Sequence, residues 1–270
     1  MLVLAAALAA SAPPLVEREP PPIPWRASYR GGLEEAQRAK VPVLLYFSAD
    51  WCEPCRNMEA TTFRDTEFMA ALAGVVPVKS PFYPDSGLAR KFGVYAIPAM
   101  FLIDETGAPI THWTGYHPPE RLAPVLQEAC SGYAAYRTGL SAPGKFSDYR
   151  RVAAYLVKMG NTGRALEVLE TGRKRIPKSD TRARELADLD IAEAHEVHGE
   201  LDRAAELYSN LSMEGRDRDV RARALYRLSR VEIRRGRPKQ AAEAKEKIAR
   251  LYPDLDPSRE SGSVSALPED

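Results

Sequence analysis

The chain is short of the residues that would declare a chemistry at first sight. Only three cysteines occur in 270 residues, too few for the crosslinked framework that holds small secreted domains together. The formal net charge is +1, which gives no global reason to expect a polyanion as partner, and no nucleic-acid partner is expected. The apolar run at residues 2–10 falls well below the roughly 20 residues that span a bilayer, and no transmembrane anchor is expected. That run of Leu, Val and Ala, ending in small residues, reads instead as a secretory signal peptide covering 1–9. Export to a periplasmic or other extracytoplasmic location follows as the expectation.

What is present is enough apolar material, 44% of the residues, for two cores at this length. Prolines at 13, 14, 20, 21, 22 and 24 make residues 10–24 an extended linker, because each ring fixes φ and removes a donor. Beyond it, residues 33–40 are strong helix formers halted by Pro42. Residues 41–47 form a nearly continuous apolar run, the mark of a strand buried on both faces. A helix over 57–72 with an interruption at 61–65, a strand at 75–79, a short helix at 86–92 and a strand at 99–103 come next. A turn at 104–107, an antiparallel return at 109–115 and a closing helix at 118–128 complete an α/β domain placed at 25–135.

From residue 146 the strand signals vanish. Amphipathic helices alternate with turns at Gly160, Gly199 and Gly236, which are 39 and 37 residues apart. Ala165, Ala204 and Ala241 follow those glycines by five residues, and Ala153, Ala192 and Ser229 precede them by seven. Small residues at both places let paired helices approach closely, and Pro177 and Pro253 mark the ends of second helices. Residues 146–255 therefore read as an all-α region of three repeated helix pairs, similar to degenerate tetratricopeptide repeats. Such repeats offer a surface for a protein partner. The Ser-, Pro- and acid-rich tail at 256–270 is expected to be disordered.

Chemistry concentrates at Trp51-Cys52-Glu53-Pro54-Cys55, which follows a buried strand and opens a helix. Unpaired N–H groups and the macrodipole at a helix N-terminus favour a thiolate, which makes Cys52 the nucleophile. Cys55, three residues on and one turn deeper, is placed to resolve a mixed disulfide. Pro54 sits in the first turn, where a missing N–H costs little. A zinc half-site is the competing use of two such cysteines, and His112 and His117 are the only histidines near enough in sequence. No metal and no cofactor beyond the Cys52–Cys55 pair is expected. Cys130, alone near the end of the closing helix, reads as a small buried hydrophobe.

With those residues, and with Phe92-Gly93-Val94-Tyr95-Ala96-Ile97-Pro98, the chain resembles the thioredoxin family, in the style of the periplasmic thiol:disulfide interchange proteins. The resemblance implies a thioredoxin fold, a central mixed sheet flanked by helices, followed here by the all-α helical-repeat domain. It also implies that Pro98 is a cis-proline, that Trp51, Ile97 and Pro98 meet the substrate, and that Lys79 lies near the buried site. Gly107 and Gly115 fall at turn and bulge positions. One residue departs from the pattern: Tyr46 stands where the family carries a buried aspartate, which leaves Glu53 or water to assist proton transfer. The implied activity is reduction or exchange of disulfides in exported proteins, with protein thiol or disulfide substrates and an electron-donor protein as partners. The alternative is a repeat-based adaptor whose thioredoxin fold is mainly structural. On the third repeat, Arg223, Arg227, Arg230 and Arg234 share one helical face, read as a solvated face, or otherwise as the seat of an acidic partner.

Overall fold

A computed structural model describes residues 21–83, 86–141 and 143–258. The signal peptide at 1–9, most of the linker and most of the C-terminal tail lie outside those residues. Helix α1 (Tyr29–Ala39) precedes β1 (Val43–Ser48), and α2 (Glu53–Ala60), a 3₁₀ turn (Thr62–Arg64) and α3 (Thr66–Ala71) follow it. Then come β2 (Val76–Pro81), α4 (Gly87–Phe92), β3 (Ala99–Ile103), β4 (Pro109–Thr114) and α5 (Pro119–Ser141). The sheet order is β2-β1-β3-β4. Strands β1 and β2 are parallel, whereas β3 runs antiparallel to both β1 and β4. Arg26 adds a parallel bridge to Val78 on the outer edge of β2.

All six residues of β1 are buried, and their side chains alternate between two cores as the two-residue period of a strand requires. Leu44 and Tyr46 enter the core under α2, α3 and α5, while Val43, Leu45 and Phe47 enter the core under α1 and α4. The apolar run at 41–47 is thereby explained. The expected interruption at 61–65 is the 3₁₀ turn, and Asp65 restarts a helix by accepting the Phe68 N–H at 2.8 Å.

The closing helix is longer than its sequence signal. Helix α5 continues through position 135 to Ser141, so the helix that covers the sheet also opens the helical region. Its Gly132 and Gly139 have no room for a Cβ, which would collide with Tyr155 and Val152 of α6 (Phe146–Lys158). Close approach there merges two cores: Leu44, Met100, Leu102 and Ile110 of the sheet belong to one apolar cluster with Val152, Leu156, Leu166 and Leu169.

Three helix pairs follow: α6 with α7 (Thr162–Arg175), α8 (Thr181–His198) with α9 (Leu201–Glu214), and α10 (Arg218–Arg234) with α11 (Pro238–Leu251). Gly160, Gly199 and Gly236 each take a positive φ, between 71° and 87°, the left-handed conformation that glycine adopts without a Cβ clash as a helix ends. The small residues at the repeated positions, from Ala153 through Ala241, are all buried. The arginine face is corrected by the structure. Arg223 and Arg227 are 8% and 7% exposed and face Glu193 and Glu196 of α8. Arg234 also reaches Glu196, at 3.2 Å. The acidic partner of this face is the neighbouring helix of the same chain, because the turn between the pairs lays α8 against α10. Next to these residues Asp190 is buried beside Arg150, and burial, only partly offset by Arg150, pushes its carboxyl up to about 7.

A buried polar link between sheet and helical region is Asp104, which is 2% exposed in the β3–β4 turn. Its carboxylate accepts from Tyr136 Oη of α5 at 2.8 Å and from Arg164 Nη2 of α7 at 2.7 Å. The Thr106 and Ala108 amides donate at 2.9 and 3.0 Å. Burial opposes ionisation of this carboxyl, but the donors from Thr106, Arg164, Ala108 and Tyr136 outweigh it and hold Asp104 below the usual carboxylate range. A carboxyl depressed in the folded state contributes stability above its unfolded value of about 4, and that contribution disappears as pH falls through the folded value. Asp104→Asn should lower the unfolding free energy by about 2–3 kcal/mol near neutrality, since it leaves the half-buried Arg164 without its counter-charge. In urea titrations over a pH series the gap between wild type and variant should narrow below about pH 4; an equal gap at pH 7 and pH 3 would contradict this account.

Candidate active site

The dithiol is positioned by the end of β1. After Ser48 the chain leaves the sheet, and Cys52 caps α2 with extended backbone, φ −82° and ψ 102°. Its Sγ accepts the Cys55 N–H at 3.2 Å, so an amide that the helix leaves unpaired points at sulfur, where negative charge would be stabilised. Pro54 occupies the first turn as expected. Cys52 and Cys55 are joined in a disulfide with Cα atoms 5.2 Å apart, and both are buried.

The other expected residues fall around this pair. Trp51 is 72% exposed, with its indole on the surface immediately before Cys52. The Ile97–Pro98 bond is cis. Because Phe47 pairs with Ala99 in the β1–β3 register, Ile97 and Pro98 lie beside the end of β1 from which the cysteine loop departs. Pro98 is buried and its carbonyl accepts the Gly115 N–H at 2.8 Å, while Tyr95 nearby in sequence is 94% exposed. Gly107 and Gly115 both have positive φ, 86° and 87°.

Tyr46 is fully buried under the site, with its ring edge-on to Phe63 at 5.0 Å and tilted against Trp25 at 5.5 Å. Burial first, and then the charge of Glu59, raise its hydroxyl further above the ordinary phenol range, so Tyr46 is no base near neutrality. Its Oη lies 3.5 Å from the Cys55 carbonyl and 3.4 Å from Glu59 Oε1. Lys79 Nζ donates to the same Glu59 oxygen at 2.7 Å. Glu59 is the residue that the sequence reading overlooked. It stands four residues after Cys55, one helical turn away with Cβ atoms about 5–6 Å apart, and it supplies a half-buried carboxylate from the helix rather than from the strand. Glu53 instead is exposed in the first turn of α2. The i, i+4 spacing was the available signal for Glu59.

The remaining candidates are spent on packing. His112 stacks on Phe101 at 5.5 Å, and His117 contacts the Thr114 carbonyl at 3.2 Å. Cys130 is half-buried, and burial pushes its thiol up to about 11, far from a reactive thiolate at neutral pH.

A buried strand delivering two cysteines to a helix N-terminus, beside a proline at the start of the adjoining strand, defines a thiol:disulfide oxidoreductase of the thioredoxin type. Residues 30–129 match the thioredoxin-like domain family. The thioredoxin of Alicyclobacillus acidocaldarius is 30% identical over 95 residues, covering 35% of this chain and 88% of that protein. The chain belongs to the thioredoxin family. The thiol:disulfide interchange protein DsbD of Ralstonia nicotianae is 38% identical over 83 residues, covering 28% of this chain; the chain spans only 14% of that relative's length. Among solved structures, the oxidised C-terminal domain of DsbD from Neisseria meningitidis aligns with a TM-score of 0.32 and 19% identity, covering 37% of this chain and 94% of that one.

Tyr46 joins site and core, so its substitutions separate the two. Tyr46→Phe keeps the ring contacts and should cost about 1 kcal/mol. Tyr46→Asp, which would restore the family's acid, should cost about 3–5 kcal/mol through the cavity it leaves and a second carboxylate beside Glu59. Urea unfolding of the two variants checks the order; equal stabilities would refute it.

Proposed function

We propose that the chain reduces or exchanges disulfides in exported proteins, outside the cytoplasm, with the Cys52–Cys55 pair as its only redox group. The Cys55 amide aimed at Cys52 Sγ is the observation that carries this reading. In the reduced protein the Cys52 thiolate attacks one sulfur of a client disulfide. The client bond breaks, a mixed disulfide forms, and the second client sulfur leaves and takes a proton. Cys55 then loses its proton and attacks Cys52 Sγ, re-forming the internal disulfide and releasing the first client sulfur as a thiol. The client gains two electrons and two protons, and a partner dithiol protein must return them. Glu59, held by Lys79 and one turn from Cys55, receives the Cys55 proton in this scheme, directly or through water. Trp51 and the backbone at Ile97 and Pro98 are the proposed contacts for the client chain, which would run past Ile97 in the manner of an added strand. The apolar run at 2–10 supports export; among the described residues no helix is long and apolar enough to cross a membrane.

Two outcomes test this. Cys55→Ser should accumulate mixed disulfides through Cys52, visible by non-reducing electrophoresis and mass spectrometry, whereas Cys52→Ser should form none and neither variant should turn over. An adaptor would keep its partner and its biological effect after both changes, and that result would overturn the redox reading. Glu59→Gln should slow release of the second product by about tenfold or more, as expected when a positioned base is lost. Glu67→Gln on the exposed side of α3 should leave it unchanged in the same single-turnover assay.

A further inference from the structure

Beside the dithiol, on the side away from Pro98, lies a half-open cavity of about 420 Å³, within the size range of small-ligand pockets. Three chain segments running alongside one another build it. Residues 25–27 pair along the outer edge of β2, where the Arg26 N–H donates to Pro77 O and the Lys79 N–H to Arg26 O, at 2.8 and 3.0 Å. The ends of β1 and β2 supply the rest, held together past the last strand residues by the Phe82 N–H donating to Ser48 O at 2.8 Å. Four aromatic residues line it, Trp25, Trp51, Phe82 and Tyr83. Trp51 and Tyr83 are 72% and 65% exposed, so both rings stand in water with faces unused by the fold.

The cavity borders the redox centre through Trp51, which lines it and immediately precedes Cys52 in the chain. The charges around it narrow the occupant. Arg26 is bound to Glu35 through two hydrogen bonds of 2.9 and 2.6 Å, and Lys79 to Glu59 at 2.7 Å. The lining cations are thus satisfied within the chain and call for no anion, and the carboxylate of Asp50 is exposed and keeps its hydration, which leaves the faces of Trp51 and Tyr83 as the unmet apolar surface. Given the redox reading above, on which this rests, we infer that the cavity receives an aromatic side chain of the client polypeptide, located about two or three residues from the client cysteine that Cys52 attacks. That separation is the reach required of an extended client chain, since Asp50 of the cavity wall lies two residues from Cys52, at most about 8 Å away, and consecutive Cα atoms are about 3.8 Å apart. Selectivity for clients then comes from the β2 side of the dithiol, while the β3 side provides backbone contacts common to any sequence.

The test uses two disulfide-bonded peptides, identical except for Phe or Ala at the positions two and three residues from each cysteine, and the pre-reduced full chain in single-turnover stopped flow. The Phe peptide should react about tenfold faster, a difference consistent with burying one ring. That ratio should fall to near one in Ala27→Phe, which fills the cavity from an exposed position, and in Tyr83→Ala, which removes a wall. A ratio near one in the wild type, or one unchanged in both variants, overturns the inference while leaving the redox reading intact. If the wild type reduces neither peptide, the redox reading fails, and the cavity is judged by binding alone. A linear Phe peptide with serine for cysteine should then shift the Trp25 and Trp51 indole N–H resonances saturably in the wild type and not in Ala27→Phe; absence of any shift in the wild type overturns the inference.

Discussion

Strand β1 is buried on both of its faces, and this burial places everything that the cysteines need. A strand with side chains in two cores can neither slide by one residue nor rotate, because either movement would exchange the two sets of apolar residues. Its C-terminal end is therefore fixed, and so are Cys52, the first turn of α2 and the amide that reaches Cys52 Sγ. The same strand sets Pro98 beside it through β3 and the aromatic cavity beside it through β2. A thiol-exchange centre requires a sulfur held at one spot in front of a fixed donor, and a doubly buried strand is a stiff way to hold it.

The helical region is fastened to the other end of that sheet. Ile103 pairs with Val43 at the start of β1, so Asp104, which follows Ile103, is remote from the cysteines at the strand's finish. There the carboxylate ties the β3–β4 turn to α5 and α7, and the merged apolar cluster makes the first helix pair an extension of the domain core. Helices anchored so cannot swing freely as a tethered module would. The buried Arg–Glu contacts between α8 and α10 act similarly within the helical region: Arg223 and Arg227 hold neighbouring pairs in register rather than projecting toward a partner.

The groups beneath the dithiol are divided between strand and helix. With Tyr46 on the strand, the buried ring completes an aromatic cluster with Trp25 and Phe63, and the carboxylate arrives from α2 as Glu59. Lys79 meets that carboxylate from β2. The space under Cys55 is thus filled by an apolar ring that still offers one hydroxyl, and the charge sits nearer the surface, where it is cheaper to keep.

The order of elements, the two-sided burial of β1, the cysteine pair, the helix ends at Gly160, Gly199 and Gly236 and the small residues between paired helices were legible in the sequence. Each is a local consequence of residue type: apolar periodicity, absence of a Cβ, or a ring that forbids a hydrogen bond. The length of α5 was missed because an amphipathic helix continues for as long as something covers its apolar face, and α6 supplies that cover. The meaning of the arginine row, the partnership of Tyr46 with Glu59 and the cavity beside Trp51 were decided only by the tertiary structure. Spacing along one helix tells which side chains share a face, whereas what that face meets depends on segments tens of residues away, brought together by packing.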